Sequence, residues 1–394
     1  MLLGLAGLAL AALLPAGAPQ AQGTPKEIVI GGTISQSGPL QGIVAPFVKL
    51  AKAWEDRVNA RGGIPMKAYG KSLPIRFVIY DDKSDPATTL SFYERLATVD
   101  KVDVFIGPFS SGLHNAALQA SVSHKIPFFM VEGNDPFLFK DPNPWRVTGL
   151  APADKEQTRM VQFLSKLGGL KTFAILARDN LHEKESAKGL AEMLSQAGFQ
   201  VVYQETAPAD TKDFASIVLA MKQKNPDAVV VEALAPPSNI QFLKQAREQG
   251  LNPKELFVSH APVPVIKGLG PSSENMVSML YSFDGDSADH KEFQELCKAA
   301  GFEPWQYSEA GIRYRAYRRI EDALERAGTL DKEAVRKAMW STDLTLFGEE
   351  QMKHDATGFG TDMPYPVQVH DGKYVSLWPI EKGLKVHRFK DGKW

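Results

Sequence analysis

The sequence predicts an α/β fold in which parallel sheets, covered by helices on both faces, form two lobes with a cleft between them. Three observations carry this prediction. Short apolar strands alternate with amphipathic helices from residue 27 to 131, and a second such series starts at residue 172. The chain has 394 residues, 44% of them hydrophobic, enough for two cores. The last third abandons the alternation for long helices and a late β segment.

The elements follow in order. Residues 27–31 read as a strand, and 44–60 as a helix closed by Gly62-Gly63, where left-handed backbone is easy. Residues 73–80 form the next strand, followed by Asp81-Asp82 and a helix opened near Asp85-Pro86, with proline suited to a first turn. Strand 102–107 leads into a helix starting at Ser110-Ser111, and 127–131 is the fourth strand. The second series has strands at 172–177, 200–203, 228–231 and 256–259. Residues 305–327 read as one long helix dense in Arg and Glu, and 331–340 as another. Asp371-Gly372 and Asp391-Gly392 are hairpin turn signals.

Composition removes several function classes. The 45 basic and 46 acidic residues nearly cancel, which gives no electrostatic reason to expect a nucleic acid or a membrane surface as partner. Residues 1–23 read as a secretory signal peptide. An apolar run of Leu, Ala and Gly spans residues 2–14, too short to cross a bilayer, and small residues follow it. Cys297 is the only cysteine, so an internal disulfide and a cysteine-rich metal site are both excluded. A lipid anchor near the signal would need a cysteine there. The expectation is a soluble, unanchored protein of the periplasm.

Enzyme signatures are poor. No Gly-x-Ser-x-Gly elbow or Walker loop occurs, and Gly31-Gly32 lacks the rest of a dinucleotide fingerprint. His182-Glu183 opens like a metalloprotease motif, but Ser186 stands where the second histidine is needed. The eight histidines are scattered and none is spaced as a metal pair. No catalytic residue, metal or cofactor is therefore assigned.

The strongest chemical candidate is Gly107-Pro108-Phe109-Ser110-Ser111-Gly112, where a strand gives way to a helix opened by two serines. Such a start can be an ordinary N-cap. Its free amides and dipole also suit a carboxylate. Glu132-Gly133-Asn134-Asp135 follows the next strand, and parallel strands end on one edge, so both loops can line one cleft. Ser35-Gln36-Ser37-Gly38-Pro39 supplies a third loop.

Many short motifs in order now resemble the leucine/isoleucine/valine-binding protein family, the type I periplasmic solute-binding proteins of branched-chain amino acid ABC importers. They are residues 27–32 with Ser37-Gly38-Pro39, Asn59-Ala60-Arg61-Gly62-Gly63-Ile64, Tyr80-Asp81-Asp82 with Asp85-Pro86, and 106–111. Trp145-Arg146-Val147-Thr148, Asp213-Phe214, Gly348 and His354-Asp355 with Gly358 also fit, so that the likeness spans residues 27–378.

The resemblance implies two Rossmann-like lobes joined by a three-crossover hinge: residues 24–147 with 281–361, and 148–280 with 362–394. It implies a monomer that captures a small organic carboxylate for a membrane permease–ATPase complex. The alternatives it leaves open are a sensing protein serving a membrane receptor and a binder of amide or urea solutes. It assigns the ligand site to Ser111, Ser110, Phe109, Asn134, Gly133, Glu132, His182 and Ser37. Amino-acid-binding members hold the ammonium with an acidic residue, and Ala261 stands at that position here, leaving Glu132 or Glu232 as substitutes. A carboxylate without an amine is the other expectation.

Overall fold

A computed structural model describes residues 24–282, 285–347 and 350–390. The expected signal peptide, residues 1–23, and the Asp391-Gly392 turn lie outside the described residues.

The first sheet holds five strands: β1 (Ile28–Thr33), β2 (Ile75–Tyr80), β3 (Val104–Ile106), β4 (Phe128–Met130) and β5 (Arg146–Thr148). Their order is β2-β1-β3-β4-β5 and every pairing is parallel. The second sheet holds β6 (Thr172–Arg178), β7 (Gln200–Ala207), β8 (Ala228–Glu232), β9 (Glu255–Val258), β10 (Val277–Leu280), β11 (Tyr365–His370) and β12 (Lys373–Ser376). Its order is β12-β11-β10-β9-β8-β6-β7, in which β11 and β12 are antiparallel. The parallel part thus repeats the order of the first sheet. Both are doubly wound, with the ligand crevice expected outside the carboxyl ends of the strands, where the order reverses.

Helices cover both sheets: α1 (Phe47–Ala60), α2 (Pro86–Thr98), α3 (Ser111–His124), α4 (Thr158–Leu167), α5 (Leu181–Gln196), α6 (Ala215–Lys224), α7 (Pro236–Glu248), α8 (Val263–Leu269), α9 (Ala288–Ala300), α10 (Ala310–Ala327), α11 (Lys332–Trp340) and α12 (Ile380–Val386). Trp54, Phe47, Phe293, Tyr314 and Tyr317 fill the core under α1, α9 and α10. Phe214, Phe242 and Val258 pack one face of the second sheet, and Phe163, Phe173 and Leu190 the other.

Three expectations shift. Strand 73–80 is split by Pro74, whose missing N–H ends a short hairpin (Ile64–Met66 with Lys71–Leu73) before β2 begins. The helix expected over 44–60 starts at Phe47, after Pro46. The helix expected over 305–327 is a 3-10 turn at Pro304–Gln306 followed by α10. Asp85 caps α2 by accepting from the Thr88 amide, as its Asp-Pro signature predicts.

The chain passes between the sheets three times: after β5, after β10 and before β11. The first and third passages are hydrogen-bonded to each other. The Ala151 amide donates to the Asp362 carbonyl at 2.9 Å and the Asp362 amide to the Gly149 carbonyl at 2.9 Å. Arg319 Nη2 donates to Asp362 Oδ2 at 2.7 Å, tying α10 to this ribbon. These bonds pair the first and third passages as a short ribbon between the lobes.

Candidate functional site

Between the two sheets lies a cleft of about 570 Å³, the size range of sites for small organic molecules. Every loop that lines it leaves the carboxyl end of a strand or lies at a passage between the lobes. Three of these loops hold a non-glycine residue at positive φ: Ser110 after β3 (69°), Ala233 after β8 (45°) and His260 after β9 (47°). Such backbone is unfavourable and concentrates at functional sites.

The serine loop is held from behind by His114, one turn into α3. Its Nδ1 lies 2.8 Å from the Ser110 carbonyl, and its Nε2 accepts from the Val131 amide at 3.2 Å. Both roles require the neutral ring, and burial pushes this imidazole down to about 3. His114 therefore fastens the loop after β3 to the loop after β4. Ser110 occupies the N-cap position without making a side-chain cap. Ser111 Oγ is buried and has no hydrogen-bond partner among the described residues. The first amides of α3 likewise have no upstream helical acceptor. A hydroxyl and free amides thus converge at the positive end of a helix dipole, facing the cleft.

The structure places Phe109, Ser110, Ser111, Glu132, Asn134 and His182 on the cleft wall. Asn134 also donates from Nδ2 to the Ala151 carbonyl at 3.0 Å, so part of its donor capacity serves the first passage. Gly133 and Ser37 are not on the wall. A Cβ on Gly133 would sit 2.5 Å from His114, which makes this glycine a packing requirement. Ser37 turns away because its hydroxyl donates to Asp81 at 2.7 Å, and Pro39, Leu40 and Ile43 represent that loop in the cleft instead.

Neither glutamate expected to replace a missing ammonium partner is free. Arg313 grips Glu132 with two bonds, Nε to Oε1 at 3.2 Å and Nη2 to Oε2 at 3.0 Å, and sends Nη1 to the Gly107 carbonyl at 3.1 Å. Burial pushes the Glu132 carboxyl up to about 8 against the pull of that guanidinium. Glu232 is buried off the cleft and accepts from Gln157 and Ser186. Ala261 is buried in the core of the second lobe, and its neighbour His260 faces the cleft.

Opposite the serines stands a cluster of which sequence reasoning named only His182. Glu156 stands at the first passage, His182 in the first turn of α5, His260 after β9, Tyr281 just past β10 and Glu309 just before α10. The Tyr281 hydroxyl donates to Glu156 Oε1. His260 Nε2 lies 3.4 Å from Glu156 Oε1 and its Nδ1 lies 3.2 Å from Glu309 Oε1. His182 Nε2 lies 3.4 Å from Glu156 Oε2 and its Nδ1 lies 3.6 Å from Asp135 Oδ1. Burial opposes charge on Glu156, His182 and His260, yet their pairing prevails. The two histidines hold Glu156 well below the usual carboxylate range. Asp135 and Glu156 hold His182 well above 6.5, and Glu156 with Glu309 pushes His260 up to about 10. No local motif announces these residues, because they come from five separate segments. The family resemblance names His182 directly, and a one-residue offset at Ala261 leads to His260.

The rest of the wall is apolar, from Leu40, Ile43, Phe137, Leu150, Leu234 and Ile312. The arrangement can hold an anionic group at α3 and an apolar body across the gap. Among the described residues, no helix is long and apolar enough to cross a membrane.

Comparison with known proteins places this architecture. A family model described as periplasmic binding protein matches residues 27–373. The Leu/Ile/Val-binding protein homolog 7 of Brucella suis is 24% identical over 403 aligned positions, covering 95% of this chain and 96% of its own. Two solved structures share the fold. The branched-chain amino acid transporter substrate binding protein LivJ of Streptococcus pneumoniae, in complex with isoleucine, has a TM-score of 0.74 at 22% identity, covering 89% of this chain and 98% of its own. A solute binding protein of an R. palustris ABC transporter, in complex with benzoate, has a TM-score of 0.72 at 19% identity, covering 89% and 95%. The chain belongs to the periplasmic binding protein family, with the members that resemble the leucine/isoleucine/valine-binding proteins.

Proposed function

We propose that this protein is the periplasmic capture subunit of an ABC importer, and that its solute is a small organic carboxylate with an apolar body and no amine. Its membrane partner is then a permease–ATPase complex that reads the closed lobes. The lobes are assigned to residues 24–147 with 281–361 and 148–280 with 362–394. The observation that carries the reading is the buried, unpartnered Ser111 hydroxyl at the start of α3. A carboxylate there would satisfy the hydroxyl and the free amides together. The absence of an amine is supported by the acidic groups of the cleft. The buried carboxylates of Glu132, Glu156 and Glu309 each already face a guanidinium or an imidazole. An ammonium would have to displace one of these partners, at a cost typical of breaking a buried ion pair. Benzoate in one structural relative and isoleucine in another bracket the choice.

Calorimetric titration of the EDTA-treated protein with benzoate, 4-hydroxybenzoate, branched keto acids, leucine and isoleucine tests the proposal. The acids should bind more tightly than the amino acids. Ser111→Ala should weaken the best of them roughly tenfold to a hundredfold, because a charge-assisted hydrogen bond contributes ~1.5–3 kcal/mol. Tighter binding of an amino acid, or an unchanged Ser111→Ala, would overturn it.

A further inference from the structure

We propose that Glu156, His182 and His260 form a binding site for a divalent first-row transition metal ion, with its remaining coordination positions turned toward the cleft. One donor atom from each of the three lies within 4.8 Å of the other two. The spacing fits a shared ion. His182 Nε2 stands 3.4 Å from Glu156 Oε2 and His260 Nε2 3.4 Å from Glu156 Oε1, so each oxygen of the carboxylate faces one imidazole. Metal bonds of about 2.1 Å in tetrahedral array put donor atoms ~3.4 Å apart. These contacts are too long and too poorly aligned to count as hydrogen bonds. Glu156 Oε2 and His260 Nε2 accordingly have no hydrogen-bond partner among the described residues, although Glu156 is only 3% exposed. Buried polar atoms that meet one another only in long ion-pair contacts, without a hydrogen bond, are what a missing cation explains.

The surroundings have the form of an outer shell. Each histidine turns Nε2 to Glu156 and Nδ1 to a carboxylate: Asp135 behind His182 at 3.6 Å, and Glu309 behind His260 at 3.2 Å. Metal-ligating histidines are backed in this way, since the carboxylate fixes the ring and raises its basicity. Tyr281 orients Glu156 by donating to Oε1. Three carboxylates surround the two imidazoles, an environment that favours a cation. Two nitrogens and one oxygen suit Zn²⁺, Co²⁺ or Fe²⁺ over Mg²⁺ or Ca²⁺, which take oxygen ligands. All three ligands belong to the second lobe or the passage into it, whereas Asp135 and Glu309 lie on the other side of the cleft. The ion would thus stand where the lobes meet.

This inference does not depend on the carboxylate reading, and its test contains no organic solute. Tag-free mature protein, stripped with EDTA, is titrated with Co²⁺, followed by visible absorption and equilibrium dialysis, and then by Zn²⁺ displacement. One Co²⁺ per chain should bind, with visible bands of a four- or five-coordinate site. His182→Ala and His260→Ala should each weaken binding by more than the ~10–100-fold typical of losing an outer-shell partner. Glu309→Gln, which removes no ligand, should weaken it within that range and covers the case of a ligand variant that fails to fold, as checked by thermal melting. His124→Ala, a histidine distant from the cleft, should bind like the parent. No bound Co²⁺, or the same affinity in the His182, His260 and Glu309 variants, would overturn the site.

Discussion

At the scale of single residues, His114 shows how a side chain that touches no cleft can shape it. It carries the Ser110 carbonyl on one nitrogen and the Val131 amide on the other, and two glycines make room for its ring. A Cβ at Gly107 would come within 2.3 Å of His114 Nε2, and one at Gly133 within 2.5 Å of His114 Cγ. The ring is enclosed and cannot retreat. Gly133→Ala should therefore cost ~1–3 kcal/mol in unfolding free energy, the usual range for forced overpacking. It should also weaken solute binding, because the serine loop and the Asn134 loop share this post. Chemical denaturation together with titration would show both losses. Normal stability with weakened binding would instead put Gly133 in direct contact with the solute.

At the scale of elements, the loop after β1 is clamped by the loop after β2. Asp81 accepts from the Gln36 amide at 2.8 Å, the Ser37 amide at 3.2 Å and the Ser37 hydroxyl at 2.7 Å, and Asp82 accepts from Thr33 and Ser35. Burial pushes Asp81 up, but these hydrogen bonds outweigh it and hold the carboxyl below its ordinary value of 3.8. An aspartate lowered on folding adds stability that is present above its unfolded pKa and lost as the pH falls through the folded value. The melting temperature of the parent should thus decline below about pH 4, partly through this group. Asp81→Asn should start lower at neutral pH and decline less steeply. Parallel melting curves across that range would remove Asp81 from the account. Ser37 reads as a ligand-site serine in the sequence, and Ser35 shares its loop. Their hydroxyls are occupied here, so the loop contributes the apolar Pro39, Leu40 and Ile43 to the cleft.

At the scale of the whole molecule, two sheets of matching strand order meet across three passages, and α10 spans the joint from below. In the sequence this stretch reads only as a long helix dense in Arg and Glu. The structure buries three of its arginines, Arg313, Arg315 and Arg319, among the largest interior side chains. Arg313 reaches Glu132 in the cleft wall and Arg319 reaches Asp362 in the hinge ribbon, so one helix contacts both the site and the joint. A ligand that contacts both walls only when they approach shifts the population toward the closed form. Small-angle scattering should show a smaller radius of gyration at saturating carboxylate than without it. An unchanged radius would mean that capture occurs in a preformed cleft.

The sequence by itself determined the two-lobed α/β architecture and the serine-bearing start of α3. Strand period, Asp-Pro and Ser-Ser helix starts and the Asp-Gly hairpin are local signals, written in neighbouring residues. It also led to the family, through many short motifs in order. Strands β5 and β10 were less legible as strands, being three and four residues long and buried, with too few positions to show a period. Only the tertiary structure decided which polar groups are free. Ser37 and Ser111 look alike as loop serines, yet one donates to Asp81, 44 residues on, while the other has no hydrogen-bond partner among the described residues. It alone also gathered Glu156, His182, His260 and Glu309, which span more than 150 positions of chain. A hydrogen bond or shared ion depends on distance in space, and residue spacing encodes that distance only within one helix, strand or turn.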